Sequence, residues 1–189
     1  MVFRRIEDRL HALESAFGAE GVPATWDVAM PLGRTHLFQA FAALLRWAAG
    51  DQRRENAAAF LSSPFSGVPQ DALWSIDRQW RLARRASTEG TRGNLRNMGC
   101  TSAALVLETA SLLTRRPVVA AASEWKGVLD AMFATAHSPG HERDADAVLD
   151  AAAHRAILRA VGECVEAGAV ADMQWATLLD HLQAETVST

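Results

Sequence analysis

The spacing of apolar residues along the chain predicts a series of helices. Apolar residues recur at steps of three and four, the repeat of one helical face, at Phe3, Ile6, Leu10, Leu13 and Phe17. The same kind of stripe predicts further helices at about 36–49, 52–62, 70–85, 101–115, 119–136, 142–167 and 171–184. Only TWDVAM, near residues 25–30, has the pattern of a strand. The sequence therefore predicts an all-α, bundle-like domain with at most one short strand, near residues 25–30.

Two interruptions divide the helical pattern. The first is FLSSPFSGVP at residues 60–69. There Ser63 precedes a proline and is pushed out of helical geometry, while Pro69 suits the first turn of the next helix. The second is STEGTRGNLRNMG at residues 87–99, whose three glycines predict the loosest segment of the chain.

Length and charge restrict the class of protein. The chain has 189 residues and a formal net charge of −3, which fits one helical domain over residues 1–189 and no membrane partner. No apolar run approaches the ~20 residues of a membrane span. Two distant cysteines suggest reduced thiols, so we expect a cytoplasmic location. Residues 1–116 carry fifteen arginines against eleven acids, so a polyanionic partner should favour this part.

Nucleotide and nuclease motifs are not found in the sequence. A phosphate-binding loop needs glycines followed by Gly-Lys-Ser/Thr, but the single lysine, Lys126, follows Trp125 and precedes Gly127. Glu124 and Lys126 have the Glu-x-Lys spacing of one nuclease site, yet positions i and i+2 of a helix do not share a face. We therefore predict no catalytic residue and no cofactor in this chain.

One group of histidines and acids has the composition of a metal site. It lies near the start of a predicted helix and comprises His137, His141, Glu142, Asp144 and Asp146. Pro139 and Gly140 prevent the two histidines from sharing a helical face. Carboxylates at a helix N-terminus interact favourably with the helix dipole, so we interpret the group as a loop followed by an acidic helix start and predict no metal.

A basic surface is the best binding candidate in the sequence. On the 70–85 helix, an aromatic residue and several arginines lie opposite the apolar stripe formed by Leu73, Ile76, Trp80 and Ala83. Two arginines continue the charge into the next segment. The candidate DNA-binding residues are Trp74, Arg78, Arg81, Arg84, Arg85, Arg92 and Arg96. Arginines beside an exposed aromatic suit single-stranded nucleic acid, through phosphate pairing and base stacking. The alternative is a solvated amphipathic helix with Trp74 packed under a neighbouring segment.

The order of motifs over residues 21–81 resembles superfamily 1 DNA helicases. It is most similar to the helicase–nuclease branch, the ATP-dependent exonuclease subunits of the AddB and RecB types. The shared elements are Gly21-Val22-Pro23, Pro31-Leu32, a leucine-rich helix over 37–48 and the corner Leu61-Ser62-Ser63-Pro64-Phe65. The C-terminal WATLLDHLQAETVST is similar to the helix that ends this region in the family. The clear match covers about a third of the chain, and Ser62 stands where the family often has arginine.

The resemblance implies an accessory helical domain, a fragment of a larger helicase/nuclease polypeptide that acts in DNA repair or recombination. It implies that ATP and Mg²⁺ belong to other parts of that parent protein. Its implied partners are DNA and a partner helicase or nuclease subunit. The alternatives are a helical protein–protein interaction domain with no nucleic-acid role and a small helical enzyme that uses the group from His137 to Asp146.

Overall fold

A computed structural model describes residues 16–17, 19–21, 30–51, 53–137, 144–166 and 175–187. Eight helices lie in this described part: α1 (His36–Ala48), α2 (Arg54–Leu61), α3 (Gln70–Ala83), α4 (Thr88–Asn97), α5 (Thr101–Leu113), α6 (Val118–Ala136), α7 (Asp144–Glu166) and α8 (Trp175–Ala184). The predicted all-α class is confirmed. Within these ranges, no helix combines the length and the apolar character of a membrane-spanning segment. Residues 16–17 are helical, and the rest of the helix predicted at 3–17 lies outside the described residues.

Two very short strands pair residues that are far apart in the sequence. β1 (Met30–Pro31) pairs antiparallel with β2 (Thr186–Val187). The strand predicted near residues 25–30 overlaps β1 only at Met30, and residues 25–29 lie outside the described part. β2 was not predicted, because two residues after a helix carry no alternating pattern. The pairing fixes the C-terminal end of the described chain beside the start of α1.

Helix α1 lies at the centre of the fold and contacts α2, α5, α7 and α8. Nine of its thirteen residues are buried, so it is apolar on most of its circumference. Its N-terminus is capped by Thr35, whose side chain accepts a hydrogen bond from the amide of Phe38. Its aromatic residues pack against neighbouring helices. The rings of Phe41 and Trp125 of α6 meet edge to face, with their centroids 5.5 Å apart.

The corner at residues 60–69 is a structural joint between α2 and α3. Ser63 is extended (φ −75°, ψ 152°), as expected before a proline, and Pro64 opens a 3₁₀ turn, Pro64–Ser66. The hydroxyl of Ser66 is buried and donates to the carbonyl of Leu61 over 2.7 Å. Pro69 lies one residue earlier than predicted, immediately before the first helical residue of α3.

Gly67 is required in this corner for two reasons. Its φ is +63°, which an L-residue adopts only with strain. A Cβ atom at this position would also lie 2.7 Å from the Cγ2 atom of Thr135 on α6. The corner therefore packs closely on α6.

The prediction of a loose segment at residues 87–99 was wrong. Residues 88–97 form helix α4, and the side chain of Ser87 caps it by accepting from the amide of Gly90. Thr91 and Leu95, one turn apart, are buried and hold the helix against its neighbours. Packing of this face outweighs the low helix propensity of the glycines. The prediction from sequence gave that low propensity too much weight.

Candidate nucleic-acid interface

The orientation of α3 is fixed by three buried residues at four-residue steps. Ala72, Ile76 and Trp80 face the core, as the apolar stripe predicted for the last two. The indole N–H of Trp80 donates to the hydroxyl of Thr91 on α4 over 2.9 Å. Of the other two residues predicted for the stripe, Leu73 is half-buried, and Ala83, the last helical residue, is exposed. Because the core side is fixed, the residues on the opposite side of α3 must face solvent.

The exposed side of α3 presents an aromatic ring beside an exposed arginine. Trp74 is 68% exposed and Leu82 is 79% exposed. Arg78, one helical turn after Trp74, is exposed and has no ion pair within the described residues. We call Trp74, Arg78 and Leu82 the Trp74 face. Its exposure excludes the alternative in which Trp74 packs under a neighbouring segment of the described chain.

Arg81 lies on the same side of α3 but is held by an acid. Its Nε atom is 2.9 Å from Asp77, one turn earlier, and Arg54 of α2 reaches the other oxygen of the same carboxylate over 2.5 Å. Partial burial raises the pKa of Asp77, but the hydrogen bonds from the two arginines outweigh it, so the pKa lies below its ordinary value of 3.8. Asp77 is therefore ionised at neutral pH and ties α2 to α3.

The candidates Arg84 and Arg85 follow the last helical residue of α3. Arg84 adopts a left-handed conformation with φ 55°, and no other non-glycine residue in the described part has positive φ. The chain must turn sharply here because the carbonyl of Ala86 accepts the indole N–H of Trp47 over 2.7 Å. Both arginines are exposed and make no ion pair with any described residue.

An open groove of about 580 Å³ separates the start of α2 from the end of α3. We call it the arginine groove. It is lined by Gly50, Asp51, Arg53, Arg54, Glu55, Trp80, Arg81, Arg84 and Arg85. Arg53 holds Asp51 through its Nη2 atom at 2.7 Å. That hydrogen bond is the main reason that the pKa of Asp51 is lowered.

The candidates Arg92 and Arg96 lie apart from the other five. Both project from α4 onto α5, where they share the carboxylate of Glu108. The Nη1 atom of Arg92 lies 3.3 Å from one oxygen, and Arg96 binds the other. These two arginines therefore join α4 to α5, whereas Arg81, Arg84 and Arg85 line the arginine groove.

Sequence reasoning missed Arg53 and Arg54, which supply the other side of the groove. They precede Arg81 by 28 and 27 positions and lie at the start of a different helix, α2. Their link to the candidate residues depends on how α2 packs against α3. The only signal in the sequence was that the corner at 60–69 reverses the chain, which makes the two helices neighbours.

The Glu-x-Lys pair of α6 forms no shared site. Glu124 binds Arg116 at 2.7 Å, and Lys126 binds Asp130 at 2.6 Å. The hydrogen bond from Arg116, followed by one from the hydroxyl of Ser123, lowers the pKa of Glu124 to about 2. The two side chains have separate partners, as expected for positions i and i+2 of a helix.

The predicted histidine and acid group is described only in part. His137 lies with its Nε2 atom 3.5 Å from the buried carboxylate of Asp150. His141, Glu142 and the side chains of Asp144 and Asp146 lie outside the described residues. Within the described part, no cluster of three or more histidines, cysteines or acids has the geometry of a metal site.

The chain matches no protein-family model, and no curated protein or solved structure is significantly similar to it. The resemblance of residues 21–81 to helicase–nuclease subunits therefore stays a prediction, and the geometry of α3 and its surroundings carries the functional argument.

Proposed function

We propose that this chain binds single-stranded DNA through the Trp74 face and has no catalytic role of its own. The observation that carries the proposal is the position of Trp74, which is 68% exposed and lies one helical turn from Arg78, an exposed arginine with no ion pair to any described residue. A large exposed aromatic beside a free guanidinium matches what a single strand offers, namely a base to stack and a phosphate to pair.

The strength of this interface can be stated in physical terms. Stacking of one base on an aromatic side chain contributes about 1–3 kcal/mol, which corresponds to roughly 5- to 150-fold in affinity. A phosphate contact by arginine carries no sequence information and weakens with salt. The proposed binding is therefore independent of sequence, selective for unpaired bases and sensitive to salt.

A fluorescence-anisotropy titration with a labelled twelve-residue thymidine strand tests this proposal. At about 50 mM salt we expect binding that falls as salt is raised. Trp74→Ala and Arg78→Ala should each weaken it, while Leu105→Ala and Arg155→Ala, which remove an exposed leucine and an exposed arginine from α5 and α7, should not. Absence of binding by the unaltered chain at 50 mM salt would refute the proposal.

The biological setting that we propose is an ATP-dependent DNA helicase/exonuclease acting in DNA repair or recombination. The support is the ordered set of motifs over residues 21–81, with its Leu61–Phe65 corner, described above. In that setting the motor supplies ATP hydrolysis, and this chain guides or holds a strand. The native gene provides the test: an upstream Gly-Lys-Thr loop and a strand after Thr189 are expected, and their absence would contradict this setting.

A second candidate function, docking of a protein subunit, is favoured by a different surface. Leu105 and Leu112 of α5 are 63% and 60% exposed. They are seven residues apart and therefore lie on one face of the helix. Exposed leucines on one face are typical of a helix that packs against a partner. If the docking function is correct, Leu105→Asp should abolish copurification of a partner subunit and leave strand binding unchanged.

A further inference from the structure

We propose that the arginine groove is the phosphate-binding half of the strand interface, so that the DNA backbone runs from the Trp74 face into the space between α2 and α3. This inference rests on the proposed function and deepens it by assigning separate roles to two surfaces. The Trp74 face holds a base, and the arginine groove holds the phosphodiester groups that follow it.

The charges of the groove favour an anion. Five arginines line it, against the carboxylates of Asp51 and Glu55 in its wall and of Asp77, which binds two of the arginines. Five positive and three negative groups leave a net charge of +2. The acids hold Arg53, Arg54 and Arg81 in place, whereas Arg84 and Arg85 have no ion pair within the described chain. The groove therefore combines positioned cations with two that can still bind a phosphate.

The arginine groove and the Trp74 face are adjacent on the surface of α3. Trp74, Arg78 and Arg81 lie at positions i, i+4 and i+7 of α3, which places them on one side of the helix. Arg81 also lines the groove. The seven residues from Trp74 to Arg81 advance by about 10 Å along the axis, so a strand stacked on Trp74 reaches the groove within a few nucleotides.

The backbone conformation of Arg84 also supports an anion in the groove. Glycine is the usual residue at the left-handed end of a helix, because a side chain is strained there. This chain instead has arginine with φ 55°, and its side chain has no hydrogen bond or ion pair within the described residues. Strained backbone of this kind clusters at active sites and ligand-binding sites. An anion in the groove gives the Arg84 guanidinium such a role.

The test compares two labelled strands of twelve residues, one of thymidine and one of abasic sites, which share the phosphates but not the bases. We expect the double variant Arg84→Ala/Arg85→Ala to lower the affinity for both strands by the same factor. The salt dependence, expressed as the slope of log K against log salt, should fall by about 1.4, because each phosphate contact of a single strand contributes about 0.7. Trp74→Ala should lower the affinity for the thymidine strand and leave the affinity for the abasic strand unchanged.

The control double variant is Arg115→Ala/Arg155→Ala. It removes the same charge from two exposed arginines outside the groove and should leave the slope unchanged. If the Arg84/Arg85 variant binds both strands as the unaltered chain does, while Trp74→Ala still weakens thymidine binding, the groove assignment is wrong and the proposed function stands. If the unaltered chain binds neither strand, the proposed function fails and the groove assignment fails with it.

Discussion

Replacement of Arg84 by glycine is expected to stabilise the fold while it weakens strand binding. An L-residue in the left-handed region is destabilised by roughly 1–2 kcal/mol, and Arg84 has φ 55°. Glycine removes this strain but gains entropy in the unfolded chain, which opposes folding by about 0.5–1 kcal/mol. With the middle of each range, the net stabilisation is about 0.7 kcal/mol. Little is lost in return, because Arg84 is exposed and forms no ion pair with a described residue.

The assay is thermal unfolding monitored by circular dichroism, together with the strand titration on the same samples. For a chain of this length, the stabilisation corresponds to a rise in Tm of about 1–4 °C. Arg84→Ala separates the two effects, because it removes the guanidinium but keeps a side chain at positive φ. It should weaken strand binding as much as Arg84→Gly does, without the rise in Tm.

Arg78→Gly is the matched control for the backbone effect. Arg78 is an exposed arginine inside α3, where glycine is destabilising by about 1 kcal/mol. The reasoning about stored strain would be refuted if Arg84→Gly lowered the Tm as Arg78→Gly does. The link between that strain and function would be refuted if Arg84→Gly raised the Tm and left strand affinity unchanged.

Three further results are expected. In urea unfolding, Gly67→Ala should destabilise the fold by about 2 kcal/mol or more, through strain at φ +63° and a collision with α6. Gly93→Ala, which has open space around it, should stabilise the fold by about 0.5–1 kcal/mol through α4. In an NMR titration, Glu124 should titrate near pH 2 rather than 4.5. Its contribution to stability is complete above pH 4.5 and is lost as the pH falls towards 2; Arg116→Ala should move the midpoint back towards 4.5. Asp77→Asn should tighten binding of the abasic strand and steepen its salt dependence, because it frees two arginines; unchanged binding would contradict their place in the groove.

The helical order of this protein was predictable because its apolar periodicity is strong. The stripe over 36–49 corresponds to α1, and the stripe Ile76–Trp80 gives the buried side of α3. The same argument placed Trp74 on the solvent side. Local chemistry was also sufficient for Ser63 in the corner at 60–69, since a residue before proline is extended.

The rest depended on contacts between distant segments. Helix α4 forms because Thr91 and Leu95 are buried, and no local signal in a glycine-rich segment predicts that burial. Arg92 and Arg96 were grouped with the other arginines because they are near in sequence, but the packing of α4 on α5 brings them to Glu108. Arg54 reaches the candidate surface through a carboxylate on another helix, a relation that periodicity does not contain.

The central claim is that a base of single-stranded DNA stacks on Trp74, and NMR of the tryptophan indole N–H groups tests it most directly. The chain has six tryptophans, and the spectrum of Trp74→Phe identifies the signal of Trp74. Addition of the thymidine strand should shift that signal until binding saturates. The signal of Trp47, whose N–H is bonded to the carbonyl of Ala86, should stay in place. A Trp74 signal that does not move when the strand is saturating would contradict the claim.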